Sequence, residues 1–357
     1  MKPVVMTLGD VCTKGSSNLA QKDLDGNSGE YEIYGASGLI KKVNFFHQEK
    51  PYIAVVKDGA GVGRTMLLPA KTSVIGTMQY IIPNENIDIE YLYYAITYMD
   101  LSRYYMGAAI PHIYFKDYCK EKILVPDIDI QKAIAHKFRI IDGLITARQE
   151  QLAKLGELIA SRFIEMFGDC KDTIALNDLC SIITDGTHQP PKFQKEGIPF
   201  IFVSNLSDNK VTYKTEKFIS EKTYNQLYER TPIQYGDILL STVGSYGHPA
   251  VVVDKRKFLF QRHIAYLKPK SDLVNSFFLH SAILAPDGQR QIEERVKGIA
   301  QKTLNLSEIR KIKIPIPSIE EQNAFENFIK QIDKSKYLAT LYIKLLKNER
   351  MMFCDQL

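Results

Sequence analysis
Residues 58–64 read DGAGVGR, a glycine run of the kind whose backbone amides cradle phosphate. No Lys-Ser/Thr pair completes a nucleotide loop, and strand-like sequence follows where a helix would be needed. The run is read as a tight turn between strands. Pro126 and Asp127 with Lys132 have the residue types of a nuclease carboxylate–lysine set. These residues open a helix, however, and a later copy of the stretch puts Ser318 where Asp127 stands. Helix capping accounts for both. The seven histidines form no HxxxH pair, and no Gly-x-Ser-x-Gly elbow is present. We therefore assign no catalytic residue, cofactor site or metal site from the sequence.

The remaining chemistry is that of surfaces. Lys and Arg cluster at Lys41–Lys42, Lys57, Arg64, Lys255–Lys257, Arg262 and Arg310–Lys313. Arg, Gln, Asn, His and Ser/Thr side chains read base edges, whereas Lys chiefly neutralises phosphate. Candidate DNA-binding residues in the first half are Lys57 and Arg64 beside the glycine turn, with His112, Tyr114 and Lys116 in GAAIPHIYFK. In the second half they are Thr242, Ser245, Tyr246 and His248 around a similar turn, then Gln261, Arg262 and His263, then Lys302 and Asn305. A solvated surface is the alternative for any one cluster. Their recurrence around equivalent loops favours a shared role.

The elements that must position these residues come in duplicate. Shifting the chain by 191 residues lays Gly107–Asp142 over Gly298–Asp333 without a gap, with 11 identities in 36 positions. Roughly two or three would arise by chance at ordinary residue usage. The identities include Ala109/Ala300, Pro126/Pro317, Gln131/Gln322 and Asp142/Asp333. Earlier, LGDVC (8–12) matches LNDLC (176–180), and Gly59 falls over Gly244. The second half is longer, with the extra residues expected in 185–235 around DGTHQPPKFQKEG. Apolar runs such as PYIAVV (51–56), GDILLSTV (236–243) and PAVVVD (249–254) read as strands. Residues 89–106 and 275–296 have helical spacing.

Each half closes with a strand ending at proline and a long helix. Ser318 and Glu321 make a capping box for the second helix; Asp127 caps the first, with Ile130 in place of the glutamate. Along the first helix Ile134, Phe138, Ile141, Ile145, Leu152, Leu155 and Ile159 recur at alternating steps of mostly four and three. Phe325, Ile329, Ile332, Ile343 and Leu346 do so along the second. Either stripe alone could pack on its own domain. Two matched stripes favour a coiled-coil seam between the helices. A helix of about 37 residues would span roughly 55 Å.

Composition agrees with a soluble, multi-domain protein. The 357 residues are 45% hydrophobic and 24% charged, with a formal charge of +5. Cys12, Cys119, Cys170, Cys180 and Cys354 show no CxxC pair or disulfide framework, which suits a reducing cytosol. The N-terminus lacks a signal-peptide core and no apolar run reaches membrane-spanning length, so a cytoplasmic location is expected.

The duplicated junctions PDIDIQ and PSIEEQ, with YGDILLSTVGSYG and GIAQKTLNLSEIRKIKIPIP, resemble the specificity subunits of type I restriction-modification systems over nearly the whole chain. The first half departs from the family's pattern at Tyr114, which stands where the second has Asn305. The resemblance implies an α+β fold. Two similar target-recognition domains (1–126 and 170–317) would be separated by two long antiparallel coiled-coil helices (127–169 and 318–357). Each domain would read one half of a bipartite double-stranded DNA target, and the helices would set the gap. The implied partners are two methylation subunits and, through them, restriction subunits. The alternatives are a coiled-coil protein-binding adaptor without DNA readout, or a specificity protein of another modification system. A fused methyltransferase is disfavoured because no Asn/Asp-Pro-Pro-Tyr/Phe motif is present.

Overall fold
The computed structural model describes residues 3–107, 110–298 and 301–354; the Ala109/Ala300 identity lies outside them. The chain forms two compact units, Met1–Glu150 with Thr340–Leu357, and Gln151–Ala339. Both are mixed α/β.

The first unit is organised around Tyr52–Val56, a strand buried along its whole length. Its β-branched and aromatic residues suit a position covered on both faces. The sheet order is Cys12–Ser16, Met78–Pro83, Tyr52–Val56, Thr65–Leu68, with antiparallel neighbours. A second sheet pairs Tyr31–Gly35 antiparallel to Gly38–Val43 and parallel to Ser73–Val74. Val4–Thr7 and Lys122–Val125 form a two-stranded ribbon.

The second unit repeats this plan strand for strand. Its main sheet begins Cys180–Asp185, Ile264–Pro269, Ile238–Ser241, Pro249–Val251. Ile198–Ile201 pairs antiparallel to Phe218–Ile219 and parallel to Leu259–Phe260. Thr173–Ala175 and Lys313–Pro315 make the ribbon. Added to the plan are the hairpin Leu206–Val211, which extends the main sheet, and the helix Glu221–Tyr228. These two elements carry much of the second half's extra length.

The two stretches expected to be helical are interrupted. Ile89–Tyr98 ends before Asp100, which adopts φ +47°, and a short 3-10 turn follows. In the other half Ser276–Leu284 stops at Ala285, and Pro286 starts a new helix running to Arg295. Proline has no N–H to continue the first helix but suits the opening turn of the next.

The long helices are Ile128–Phe167 and Ile319–Cys354. Ser318 and Glu321 form the expected reciprocal cap: the Ser318 backbone N–H donates to Glu321 Oε2 (3.0 Å) and the Glu321 N–H donates to Ser318 Oγ (3.3 Å). Each unit contains a stretch of both helices, packed antiparallel. In the first, Phe138 meets Phe353, Arg350 donates to Asp142 Oδ1 at 2.7 Å, and Arg148 lies over the Tyr342 ring. Phe138, Ile141, Ile145, Ile343 and Leu346 are buried there, and Ile134 is half-buried. In the second, Phe163 and Phe167 meet Phe325 at ring separations of 5.5 and 5.6 Å. Phe325, Ile329 and Ile332 are buried; Leu152, Leu155 and Ile159 are half-buried.

The matched glutamines of the two junctions make the same bonds. Gln131 accepts the backbone N–H of Asp88 (2.8 Å) and donates to the carbonyls of Pro126 (2.8 Å) and Asn86 (3.3 Å). Gln322 accepts the N–H of Asn275 (2.8 Å) and donates to Pro317 (3.0 Å) and Leu273 (3.3 Å). Asp88 and Asn275 in turn cap the helices Ile89–Tyr98 and Ser276–Leu284. Both glutamines are buried, at 1% and 0% exposure, so their partners have little access to water. Gln131→Ala and Gln322→Ala are each expected to destabilise their own unit by about 1–3 kcal/mol, the cost of stranding buried polar groups. Denaturant unfolding followed in each variant would check this; unchanged midpoints would refute it.

Candidate nucleic-acid interface
In the first unit the glycine run is the turn between paired strands Tyr52–Val56 and Thr65–Leu68. Gly59 sits at φ +93° and Gly63 at +85°, conformations that side-chain-bearing residues rarely adopt. Gly63 and Arg64 close the turn on Val56, through Gly63 N–H to Val56 O (2.9 Å) and Val56 N–H to Arg64 O (2.8 Å). A second loop is stitched to this turn by its backbone: Gly59 N–H donates to Pro111 O (2.8 Å) and Ile113 N–H to Lys57 O (2.9 Å). That loop is closed by the reciprocal pair Met106–His112 (2.8 and 3.0 Å).

The expected residues of this half thus come together. Lys57 Nζ pairs with Asp58 at 2.6 Å. The Arg64 guanidinium lies against Gly61, where a Cβ would collide with it. His112 meets the Tyr114 ring edge-on at 4.8 Å, and Lys116 Nζ stands 5.1 Å from the same ring. Tyr105, Met106, Ile110 and Tyr114 are exposed beside them.

The second unit builds the same frame. Gly244 N–H donates to Lys302 O (3.3 Å), Leu304 N–H to Thr242 O (2.8 Å), and Lys297 and Thr303 form the reciprocal pair (3.0 and 2.8 Å). Gly247 N–H to Ser241 O (2.9 Å) and Ser241 N–H to His248 O (3.1 Å) close the turn that contains Ser245. In this frame Thr242 takes the place of Lys57, His248 of Arg64, Thr303 of His112 and Asn305 of Tyr114. Asn305 and Tyr114 both precede a four-residue helix, so the departure at Tyr114 changes the side chain but not the backbone role.

Gln261, Arg262 and His263 lie beside this turn, since Thr242 N–H donates to His263 O at 3.0 Å. Arg262 Nε approaches His263 Nε2 at 3.2 Å. Burial, and then the neighbouring Arg262 charge, push the His263 pKa below its ordinary value, consistent with a neutral ring accepting from arginine. The Tyr246 hydroxyl donates to Glu293 Oε2 (2.6 Å) and Lys302 Nζ to Glu293 Oε1 (3.1 Å). These two bonds pull the Glu293 carboxyl below its usual range.

Other basic clusters are engaged within the fold. Arg256 pairs with Asp254 and lies 4.3 Å from the Tyr213 ring centroid, and Lys257 pairs with Glu221. Lys41 donates to Leu24 O, Arg310 to Ile183 O, and Lys311 to Glu308. Two contributors were not anticipated. Glu293 organises Tyr246 and Lys302. Loop 185–192 docks on the Gln261 segment, with Thr187 N–H donating to Phe260 O (3.0 Å) and Arg262 N–H to Thr187 O (3.1 Å). The signal for the loop was present in the Asp-Gly-Thr-His string, whose glycine marks close backbone approach. Among the described residues no cluster of three His, Cys, Asp or Glu side chains could hold a metal ion, and no helix is long and apolar enough to cross a membrane.

Comparison with known proteins places this geometry. The profile of the type I restriction modification DNA specificity domain matches twice, at residues 2–156 and 170–346. The type I restriction enzyme EcoBI specificity subunit of Escherichia coli is 31% identical over 147 residues, 41% of this chain and 31% of the relative. The chain thus spans only about a third of that relative's length. The MjaVIII specificity subunit of Methanocaldococcus jannaschii is 22% identical over 309 residues, 79% of this chain and 72% of the relative. Two solved structures share the fold, each with a TM-score of 0.61. One is the S subunit of a type I restriction-modification system from M. genitalium (14% identity, 100% of this chain, 96% of that one). The other comes from work on complex assembly and conformational transition of the type I R-M system (16% identity, 99% and 97%).

Gly186 allows the unanticipated loop to dock, because a Cβ there would overlap the carbonyl oxygens of Phe260 and Gln261. Gly186→Ala is expected to cost about 1–3 kcal/mol through overpacking. It should also open the 185–192 loop to limited proteolysis. Unchanged cleavage and stability would refute the docking role.

Proposed function
Because the chain belongs to the type I restriction-modification DNA specificity family, we propose that it is the subunit that selects the DNA sequence for such a system. Each unit reads one half of a bipartite duplex target. The observation that carries this reading is one loop frame built twice with unlike side chains. Lys57, Arg64, His112 and Tyr114 occupy the positions of Thr242, His248, Thr303 and Asn305. A common frame with different donors and acceptors is what two readers of different sequences require.

In this proposal recognition domains span 1–126 and 170–317, and helices 127–169 and 318–357 set the gap between half-sites. The helices also bind two methylation subunits, and restriction subunits join through them. Exposed Leu341 and Leu345 of the first unit, and exposed Tyr337 and Leu338 of the second, support such docking, since exposed apolar side chains on a helix offer contact to a partner. The chain itself contributes recognition without catalysis and works in the cytoplasm, where the DNA is.

Methylome sequencing of cells with and without this chain tests the reading: a split motif should be methylated only when the chain is present. An unchanged set of methylated motifs would refute it. Within the complex, Arg262→Ala should weaken binding by about 1–3 kcal/mol and relax choice at one base pair if Arg262 reads a base. If it contacts phosphate, all sequences should weaken together and the salt slope should fall by about one. Competition binding at several salt concentrations separates the two; no change in either removes Arg262 from the interface.

A further inference from the structure
A cavity of about 590 Å³ opens between loop Gly186–Lys192 and the segment Thr223–Thr231. Thr187, His188, Gln189, Lys192, Gln226 and Arg230 supply its polar lining. Asp185 stands at its edge and divides its carboxylate between two of these groups. Oδ2 lies 2.7 Å from His188 Nε2, and Oδ1 lies 2.6 Å from Arg230 Nη2. The Asp185 side chain is only 17% exposed, whereas those of His188 and Arg230 are each 53% exposed. The carboxylate is therefore a half-buried brace, and the two groups it holds face solvent.

The brace is fixed to the interface already described. Gly186 N–H donates to Ile264 O (3.1 Å), and Thr187 exchanges backbone bonds with Phe260 and Arg262. His188 consequently emerges next to Gln261, Arg262 and His263. Pro190 and Pro191 stiffen the chain beyond it. Among the described residues of the first unit, no Asp–His–Arg brace follows the equivalent strand. After its equivalent strand come Ser17, Asn18 and Leu19, and Gly76 N–H is bonded to Leu19 O.

In the neutral tautomer that donates Nε2–H to a carboxylate, Nδ1 is left as an acceptor. In the major groove the donors that such an acceptor can meet are the exocyclic amines of adenine and cytosine. The surrounding Lys192 and Arg230 favour the adjacent phosphate backbone. We propose that Asp185 is a positioning residue that holds His188 as the acceptor for an adenine or cytosine amino group in the half-site read by the second unit. This rests on the DNA-reading function proposed above.

The test uses the full chain with its methylation partner. The probes are duplexes carrying the site found by methylome sequencing and every single base-pair change within it. His188→Ala should lose about tenfold discrimination at one base pair, where the facing base is adenine or cytosine, with the salt slope unchanged. Asp185→Asn should relax the same base pair while thermal stability holds. His188→Gln, which keeps an acceptor, should retain part of the discrimination.

Unchanged discrimination in both His188→Ala and Asp185→Asn would overturn the inference. So would uniform weakening on all duplexes with a reduced salt slope, or binding by the unsubstituted complex that is unaffected when the adenine or cytosine of that base pair is replaced by purine or 2-pyrimidinone, which lack the amino group. If the unsubstituted complex discriminates among none of the duplexes, the functional reading itself fails.

Discussion
The architecture turns on one buried side-chain amide used twice. Gln131 and Gln322 sit four residues after Asp127 and Ser318, and the backbone N–H of each donates to the carbonyl of that residue (3.0 and 3.1 Å). Side chains on a helix lean toward its N-terminus. Each amide therefore reaches back to the carbonyl of the preceding proline and to the cap of a second helix. A single residue thus satisfies groups at the end of a strand, the start of a long helix and the start of a shorter one. No apolar residue could do this, because the N–H and C=O groups concerned are withdrawn from water. The constraint explains why the junction motif keeps a glutamine in both copies while three of the four residues between proline and glutamine change.

From that fixed corner the rest of each unit follows. The shorter helix covers the central strand, and that strand ends in the glycine turn. The closing ribbon strand is preceded by the loop that bonds to the same turn. Turn and loop are joined through backbone groups, Gly59 to Pro111 and Ile113 to Lys57, or Gly244 to Lys302 and Leu304 to Thr242. The turn-and-loop surface is consequently tied by main-chain bonds to the core.

Much of this was legible in the sequence, for identifiable reasons. The strands at 51–56 and 236–243, the capping box at Ser318 and the glycine turn are local signals, carried by neighbours within a few residues; the repeat is legible because the sequence can be compared with itself. The role of the junction glutamines was not legible, because their partners Asp88 and Asn275 lie more than 40 residues away. The break at Asp100 was hidden because no glycine or proline marks it, although its backbone is left-handed. The basic clusters misled for a related reason. A run such as Lys255–Lys257 looks like free positive charge until Asp254, Tyr213 and Glu221 are folded against it. A formal charge of +5 therefore says little about where a polyanion would sit.

The division of labour between backbone and side chain also bears on how such a surface changes. Because the frame is held by main-chain bonds and by glycines at positive φ, the side chains on it are not needed to maintain it. Lys57 can give way to Thr242, or Tyr114 to Asn305, and the same turn and loop still meet. At the exposed positions Arg64/His248 and Tyr114/Asn305, substitution alters charge, reach and hydrogen-bonding pattern at little cost to folding, since exposed positions contribute little to stability; Lys57 is half-buried and Thr242 buried, so exchange there is more constrained. The junction glutamines have no such freedom. Each serves three backbone partners from a site closed to water, and losing one strands them all. Variable side chains and structural integrity are thereby assigned to different atoms, which lets one backbone frame carry two unlike sets of donors and acceptors within a single chain.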